Sequence, residues 1–312
     1  MDFDYSDDQQ ILMTAFDSLL DDYRQPPHGR HGYVAYSAEL QAEVARAGFL
    51  EIAEQPGFGP LEAALLIEAV AACPHSVELA ASMLIAPLLG ETQAPLAIAW
   101  GLGRPARYLP QARKVCVFRE GHAWVGTPAA EAIRQSISVA AYPLGILDSM
   151  PEDAVRLSAA ESAKVHRRAL IGIAAEAAGL MRGALDQTVQ YVKERQQFGQ
   201  SLGAFQAIQH RLAECAQLVR GAKWLALRAA HSDSDAVAAT ACLYAQQSMR
   251  RVITDCHQFT GAMGLTLEFP LHLWTYRLKF LQGEAGGVPT QAQRAANSLW
   301  QDNTEERVRI AV

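Results

Sequence analysis

The stretch Tyr191-Val-Lys-Glu-Arg195-Gln-Gln-Phe198-Gly199-Gln-Ser-Leu202-Gly-Ala-Phe205-Gln206-Ala-Ile-Gln209-His210 decides how this 312-residue sequence is read. A helix ends at an arginine, an aromatic–glycine pair breaks the chain, and a new helix opens on a glutamine-rich turn. Helix ends carry free N–H groups that favour anions. The planar guanidinium fork of an arginine beside them can hold two phosphate oxygens at once. On spacing alone, a plain helix–loop–helix corner with a surface arginine is the more economical reading.

On either side of this corner the pattern is helical. Leu170, Ile173, Ala177, Leu180, Ala184, Leu185, Thr188, Val189 and Val192 follow one broad face, so long helices are predicted from Ser158 to about Ala230. Another runs from about Ser234 to Thr260, and the end of the chain from about Pro289 is helical too. At the start, Ser6-Asp7-Asp8-Gln9 reads as a capping box. Ile11, Leu12, Ala15, Phe16, Leu19, Leu20 and Tyr23 then recur at helical spacing, until Pro26-Pro27-His28-Gly29 stops the helix. A second helix is predicted from Ser37 to a glycine cap at Gly48. Segments 60–73 and 76–90 read as two helices apolar on more than one face, hence buried between neighbours. After Trp100 the character changes. Gly101, Gly103, Pro105 and Pro110 punctuate short β-prone runs at Val115–Arg119, Ala123–Gly126, Ser136–Tyr142 and Val155–Leu157. The predicted organisation is an N-terminal helical domain (1–100), a shortened β-segment (101–157) and a C-terminal helical bundle (158–312).

Composition narrows the function. Half the residues are apolar and 19% are charged, a globular balance, with a formal net charge of -6. The acidic balance argues against a nucleic-acid partner, which demands a basic patch. Five scattered cysteines (Cys73, Cys116, Cys215, Cys242 and Cys256) form no C-x-x-C pair and read as small apolar residues in a reducing compartment. The first residues are acidic where a signal peptide would be basic, and no 18-residue apolar run occurs, so a cytoplasmic protein without a membrane span is expected. His210, His257 and His272 are too dispersed for a metal site. Ser37, Ser201 and Ser248 lack the context of an activated nucleophile. Trp224 and Trp274 read as packing residues.

Two ordered anchors carry a resemblance. Arg195-x-x-Phe198-Gly199 is similar to the R-x-x-F-G turn of acyl-CoA dehydrogenases, preceded by Ala177-Ala-Gly179 through Ala184-Leu185 as in that family's helix. Gln258-Phe-Thr-Gly261-Ala-Met-Gly264-Leu-Thr-Leu-Glu268-Phe-Pro270 resembles the family's Q-x-x-G-G-x-G segment, with Arg277 and Lys279 where the family has R-D-x-K. Gly48 through Ala53, Gly57, Gly59 and Glu62 resemble its N-terminal helical domain. The resemblance implies a mostly α, acyl-CoA dehydrogenase-like fold with a truncated β-segment and a C-terminal four-helix bundle. It also implies an FAD site shared between subunits. Arg195, Gln197, Phe198 and Gln206 match positions holding the diphosphate and adenosine half of a neighbour's flavin, and Gln258 and Gly261 match the partner loop. Ala262 stands where the family usually has a second glycine.

The same resemblance implies α,β-dehydrogenation of an acyl-CoA, with electron-transfer flavoprotein as acceptor, in a homo-oligomer or beside a full-length homologous subunit in a heterotetramer. Such short subunits occur with bulky substrates, including steroid side-chain thioesters, so lipid or steroid catabolism is the expected setting. The chemistry needs a carboxylate to take the α-proton. Glu284, in Leu281-Gln-Gly-Glu284-Ala-Gly-Gly287, falls one residue short of the family's position and is the candidate base; otherwise it is a solvated loop carboxylate. The alternative helix position is Ala169, which cannot serve. Glu176 is a further candidate, or a hydrogen-bonded helix residue. The family's β-domain loop is missing, with Thr127-Pro128 its nearest fragment. A second reading is therefore a catalytically silent partner that completes the FAD site of a full-length homologue.

Overall fold

A computed structural model describes residues 4–27, 33–90 and 94–310, with side chains described up to residue 300. Helix α1 (Asp7–Leu20) starts as the sequence predicts: the Ser6 hydroxyl accepts from the Gln9 amide at 3.2 Å, and Gln9 Oε1 accepts from the Ser6 amide at 3.1 Å. The stop at Pro26–Gly29 runs into residues 28–32, outside the described residues. Helix α2 (Ala38–Arg46) is capped by Ser37 and followed by Gly48 at φ +79°, a conformation glycine adopts without strain. Helix α3 (Pro60–Ala71) is buried almost all round.

The helix expected over 76–90 is much shorter. Ser76 is drawn into an extended bridge, its amide donating to Ala35 O at 2.9 Å while its carbonyl accepts from the Ser37 amide at 3.0 Å. Only α4 (Ala80–Leu84) is helical before a 3-10 turn at Pro87–Leu89. Buried Glu78 caps α4, accepting from the Ala81 amide (2.7 Å), the Ser82 amide (3.0 Å) and the Ser82 hydroxyl (2.5 Å).

The middle of the chain forms two small sheets from β1 (Leu96–Ala99), β2 (Pro105–Arg107), β3 (Lys114–Arg119), β4 (His122–Gly126), β5 (Ile133–Ser136), β6 (Leu144–Leu147) and β7 (Val155–Arg156). One sheet has the order β1-β3-β4-β7, with β1 and β3 parallel; the other is antiparallel, β2-β6-β5. Ala97, Leu109, Val115, Val117 and Leu147 pack between them. The strand expected at 136–142 lies earlier, ending at Ser136. Ile137 and Val139 are solvent-exposed, with no facing sheet to bury a strand's apolar side, and Tyr142 turns inward instead. Strands β1, β2 and β6 are three or four residues long and were not signalled by any run of β-branched residues.

The rest is a bundle. Helix α5 (Ala159–Glu194) leads into a hairpin of β8 (Gln196–Gln197) and β9 (Gln200–Ser201), then α6 (Gln206–Ser232), α7 (Asp235–Thr260), α8 (His272–Leu281) and α9 (Gly287–Ile310). Helices α5, α6 and α7 pack mutually, and α9 lies along α7. The N-terminal helices join this bundle through small residues. A Cβ at Gly179 would lie 2.1 Å from Glu68 O on α3, and one at Gly183 would lie 2.2 Å from the Trp274 indole nitrogen, which donates to Ala72 O at 2.9 Å. At this contact buried Glu68 receives Arg182 Nε at 2.6 Å and Lys223 Nζ at 3.2 Å. The five cysteines are free and buried. Among the described residues, no helix is long and apolar enough to cross a membrane.

Candidate cofactor-binding end and a buried ion network

Helix α5 ends where the Arg195 amide donates to Tyr191 O, and the hairpin that follows closes with the Leu202 amide donating to Arg195 O, both at 2.9 Å. Its two turn residues, Phe198 (φ +57°) and Gly199 (φ +83°), lie in the left-handed region, as a two-residue hairpin with type I′ twist requires. Glycine does this freely. A bulky phenylalanine does so at a cost of about 1 kcal/mol, and this one leaves 85% of its surface in water. Its ring meets Phe205 edge-on at 6.2 Å, a slight contact to set against the strain, and strained residues gather at functional sites. Arg195, Gln197 and Gln206 are exposed beside it. Gln206 is the first residue of α6, a helix whose start has no side-chain cap.

Helix α7 brings the second anchor to the same end of the bundle. It stops at Gly261, whose φ +59° and ψ -143° lie in a region essentially reserved for glycine. Gln258 and Gly261 are exposed. Arg211 near the start of α6 pairs with buried Asp255 near the end of α7, and its guanidinium lies 4.8 Å from the Phe259 ring centre. Tyr191 at the end of α5 meets Phe269 at 5.3 Å. All six sequence-predicted cofactor residues therefore sit on this one end. Beside them Met263, Leu265 and Leu267 are also exposed. One guanidinium, three side-chain amides and an open backbone at Gly261 form a donor set suited to a dinucleotide's phosphates and hydroxyls.

Glu284 is elsewhere and in a different state. It is buried, so it is not a solvated loop carboxylate. Its two oxygens accept from Arg107 Nε and Nη2, each at 2.9 Å. The third arm of that guanidinium, Nη1, donates to Glu176 Oε2 at 2.7 Å, and Tyr142 Oη donates to Glu176 Oε1 at 2.7 Å. The Arg107 guanidinium also lies 4.9 Å from the Tyr142 ring centre. Burial works against the Arg107 charge, but Glu176 and Glu284 outweigh it and hold the pKa well above the usual arginine range. Burial pushes the Glu284 carboxyl up, opposed by Arg107. The loop is pinned from both sides: Gln246 Nε2 donates to Leu281 O (2.9 Å) and Glu284 O (3.0 Å), and Gln291 Nε2 donates to Ala285 O (2.7 Å).

Glu176 and Arg195 are 19 residues apart on α5, roughly 28 Å along its axis, so one chain does not bring Glu284 and the hairpin into one site. Sequence reasoning missed Arg107 and Tyr142, since nothing in Pro105–Arg107 signals a partner 177 residues away. It also missed a cleft of about 430 Å³ beyond the network, between the β3–β4 turn, the start of α5 and α9. There Trp100 and Phe118 stack at 4.7 Å, and Arg294 of α9 contacts His166. Burial and that neighbouring cation push the imidazole down to about 4, so it is neutral at pH 7.

Residues 158–298 match the family model described as acyl-CoA dehydrogenase, C-terminal domain. The probable acyl-CoA dehydrogenase FadE25 of Mycobacterium tuberculosis is 35% identical over 139 residues, which cover 43% of this chain and 35% of FadE25. The match thus spans about a third of the length of that curated relative. Among solved structures, a chain of the ChsE4–ChsE5 complex from Mycobacterium tuberculosis superposes with a TM-score of 0.81 at 20% identity, covering 96% of this chain and 99% of that one. Butyryl-CoA dehydrogenase from Megasphaera elsdenii gives 0.78 at 20% identity, over 96% and 100%. These two likenesses are likenesses of fold.

Proposed function

We propose that this chain, whose residues 158–298 match the acyl-CoA dehydrogenase C-terminal domain, is a subunit of an FAD-dependent acyl-CoA dehydrogenase assembly, in which it completes a neighbour's flavin site and supplies no base of its own. The observation that carries this is the exposed hairpin, with Phe198 held in a strained turn where it meets its own chain's Phe205 ring only edge-on at 6.2 Å and stays 85% exposed. A neighbouring subunit's flavin gives that strain a use. Arg195 would hold the diphosphate, Gln197, Gln206 and Gln258 the adenosine half, and Phe198 would cover the adjoining ring, with Gly261 letting the backbone approach. When bound, FAD supplies the electron sink for dehydrogenation of a CoA thioester. The exposed Phe198, Met263, Leu265 and Leu267 then become interface residues rather than surface liabilities.

Glu284 is the reason to place the base on the partner. A carboxylate whose two oxygens both accept from a buried guanidinium has two of its four lone-pair sites taken, and the space of about 20 Å³ beside Glu284 has no room for a thioester to bring an α-proton to the others. That one solved relative is a complex of two differently named chains supports the heteromeric form. The same reading takes a bulky acyl-CoA as the partner's substrate and an electron-transfer flavoprotein as the acceptor. The test is flavin retention in an assembly with a full-length homologue. Arg195→Ala removes a charge-assisted phosphate contact worth about 1.5–3 kcal/mol, so FAD affinity should fall roughly 10- to 150-fold. Unchanged affinity would remove Arg195 from the site.

A further inference from the structure

We infer that Arg107 is a built-in occupant that closes this chain's own interior pocket, its guanidinium filling the place where a ligand would otherwise meet Glu284 and Glu176. The space lies between the N-terminal helices, β1 and α5, lined by Ala80, Leu96, Ala169 and Gly172 together with Arg107 and Glu284. What is left of it is about 20 Å³, room for a single water. Two features close it independently. Small residues let α4 sit directly on α5: a Cβ at Gly172 would lie 3.0 Å from the Ala80 Cβ. From the opposite side, β2 ends by inserting Arg107, which makes three charge-assisted hydrogen bonds of 2.7–2.9 Å to two carboxylates from distant elements.

The donors match the acceptors. Every nitrogen of the guanidinium is used, and Tyr142 satisfies the remaining oxygen of Glu176. A plug of this kind is specific to a planar, three-sided cation, because lysine offers one ammonium and cannot reach both oxygens of Glu284 in parallel. The inference does not depend on the flavin reading, since a chain that binds no FAD would have the same closed interior.

The experiment uses the full chain. Carboxyl groups are labelled with a water-soluble carbodiimide and glycinamide and read by peptide mass spectrometry, with exposed Glu51 and Glu54 as internal references. In the wild type Glu284 and Glu176 should label at least about ten-fold more slowly than the references. Arg107→Ala should bring both towards the reference rate and lower the melting midpoint by about 5–10 °C. Methylguanidinium should restore the midpoint saturably in Arg107→Ala and not raise it in the wild type. Arg107→Lys, which keeps the charge, should fold with an intermediate midpoint and no rescue. Wild-type Glu284 labelling at the reference rate would overturn the inference. So would a folded Arg107→Ala chain that gains nothing from methylguanidinium, or an Arg107→Lys chain matching the wild type in both readouts.

Discussion

Replacing Gly179 with alanine tests how α3 is held to the bundle. The new Cβ would stand 2.1 Å from Glu68 O, 3.0 Å from Glu68 C and 2.8 Å from the Ala71 Cβ. Those are backbone and short side-chain atoms of a buried helix, so no rotamer change relieves the clash, and α3 has to withdraw by roughly 1 Å or more. Overpacking of this kind costs about 1–3 kcal/mol, and the obstacle being backbone argues for the upper end. The withdrawal also draws Glu68 away from Arg182 and Lys223, now 2.6 and 3.2 Å away. Against this, alanine gains about 1 kcal/mol over glycine within a helix. The net expectation is a loss of about 2 kcal/mol, or roughly 4 °C in melting midpoint, measured by scanning calorimetry. The control is Gly221→Ala, where the obstacle is the Tyr244 phenol at 2.5 Å, a side-chain end that can swing aside; its helix-propensity gain should leave it near neutral. If Gly179→Ala is as stable as the wild type while Gly221→Ala is not, the close approach of α3 and α5 is wrong.

Three further outcomes follow from the same geometry. Glu78, buried and pushed up to about 7 chiefly by burial, against hydrogen bonds from Ser82 and Ala81, binds a proton more tightly folded than unfolded. Its contribution to stability is therefore present below the unfolded value near 4.5 and is lost as pH rises through about 7. Glu78→Gln should flatten the pH dependence of urea unfolding across that window by on the order of 3 kcal/mol, whatever its baseline cost; an unchanged slope would place the titration elsewhere. Glu284→Gln should lower stability by about 1–3 kcal/mol, because Arg107 keeps only part of its pairing, and leave turnover per flavin in a mixed assembly unchanged; loss of turnover would make Glu284 the base after all. Asp255→Asn, which weakens the pairs that buried Asp255 makes with the partly exposed Arg211 and Arg251, should lower the midpoint and also weaken FAD binding, because that carboxylate ties the start of α6 to the end of α7. A drop in midpoint with full flavin affinity would separate the two.

The long helices and the hairpin corner were legible because each carries a local signal. The bundle helices hold a 3.6-residue apolar period over many turns, and Arg195 to Gln206 pairs a helix stop with turn chemistry. The capping pair Ser6–Gln9 and the glycine at Gly48 are likewise contacts within three residues or single-residue conformations. What was not legible depends on partners far away in the chain. Residues 76–79 stay out of the helix because Ser76 bridges to Ala35 and Ser37. The strand near Ser136 stops where burial stops. Glu284 read as a loop carboxylate because its partner Arg107 lies in a three-residue strand with two sheet-poor neighbours, Pro105 and Ala106. Burial and charge pairing, not local pattern, decide what that carboxylate can do.

The most direct test of the central claim is the absorption spectrum and solution mass of the chain purified alone and together with a full-length acyl-CoA dehydrogenase homologue from the same genome. The expected result is a colourless chain that acquires flavin absorbance only in the mixed assembly. A flavin-loaded homo-oligomer that is bleached by an acyl-CoA would contradict it.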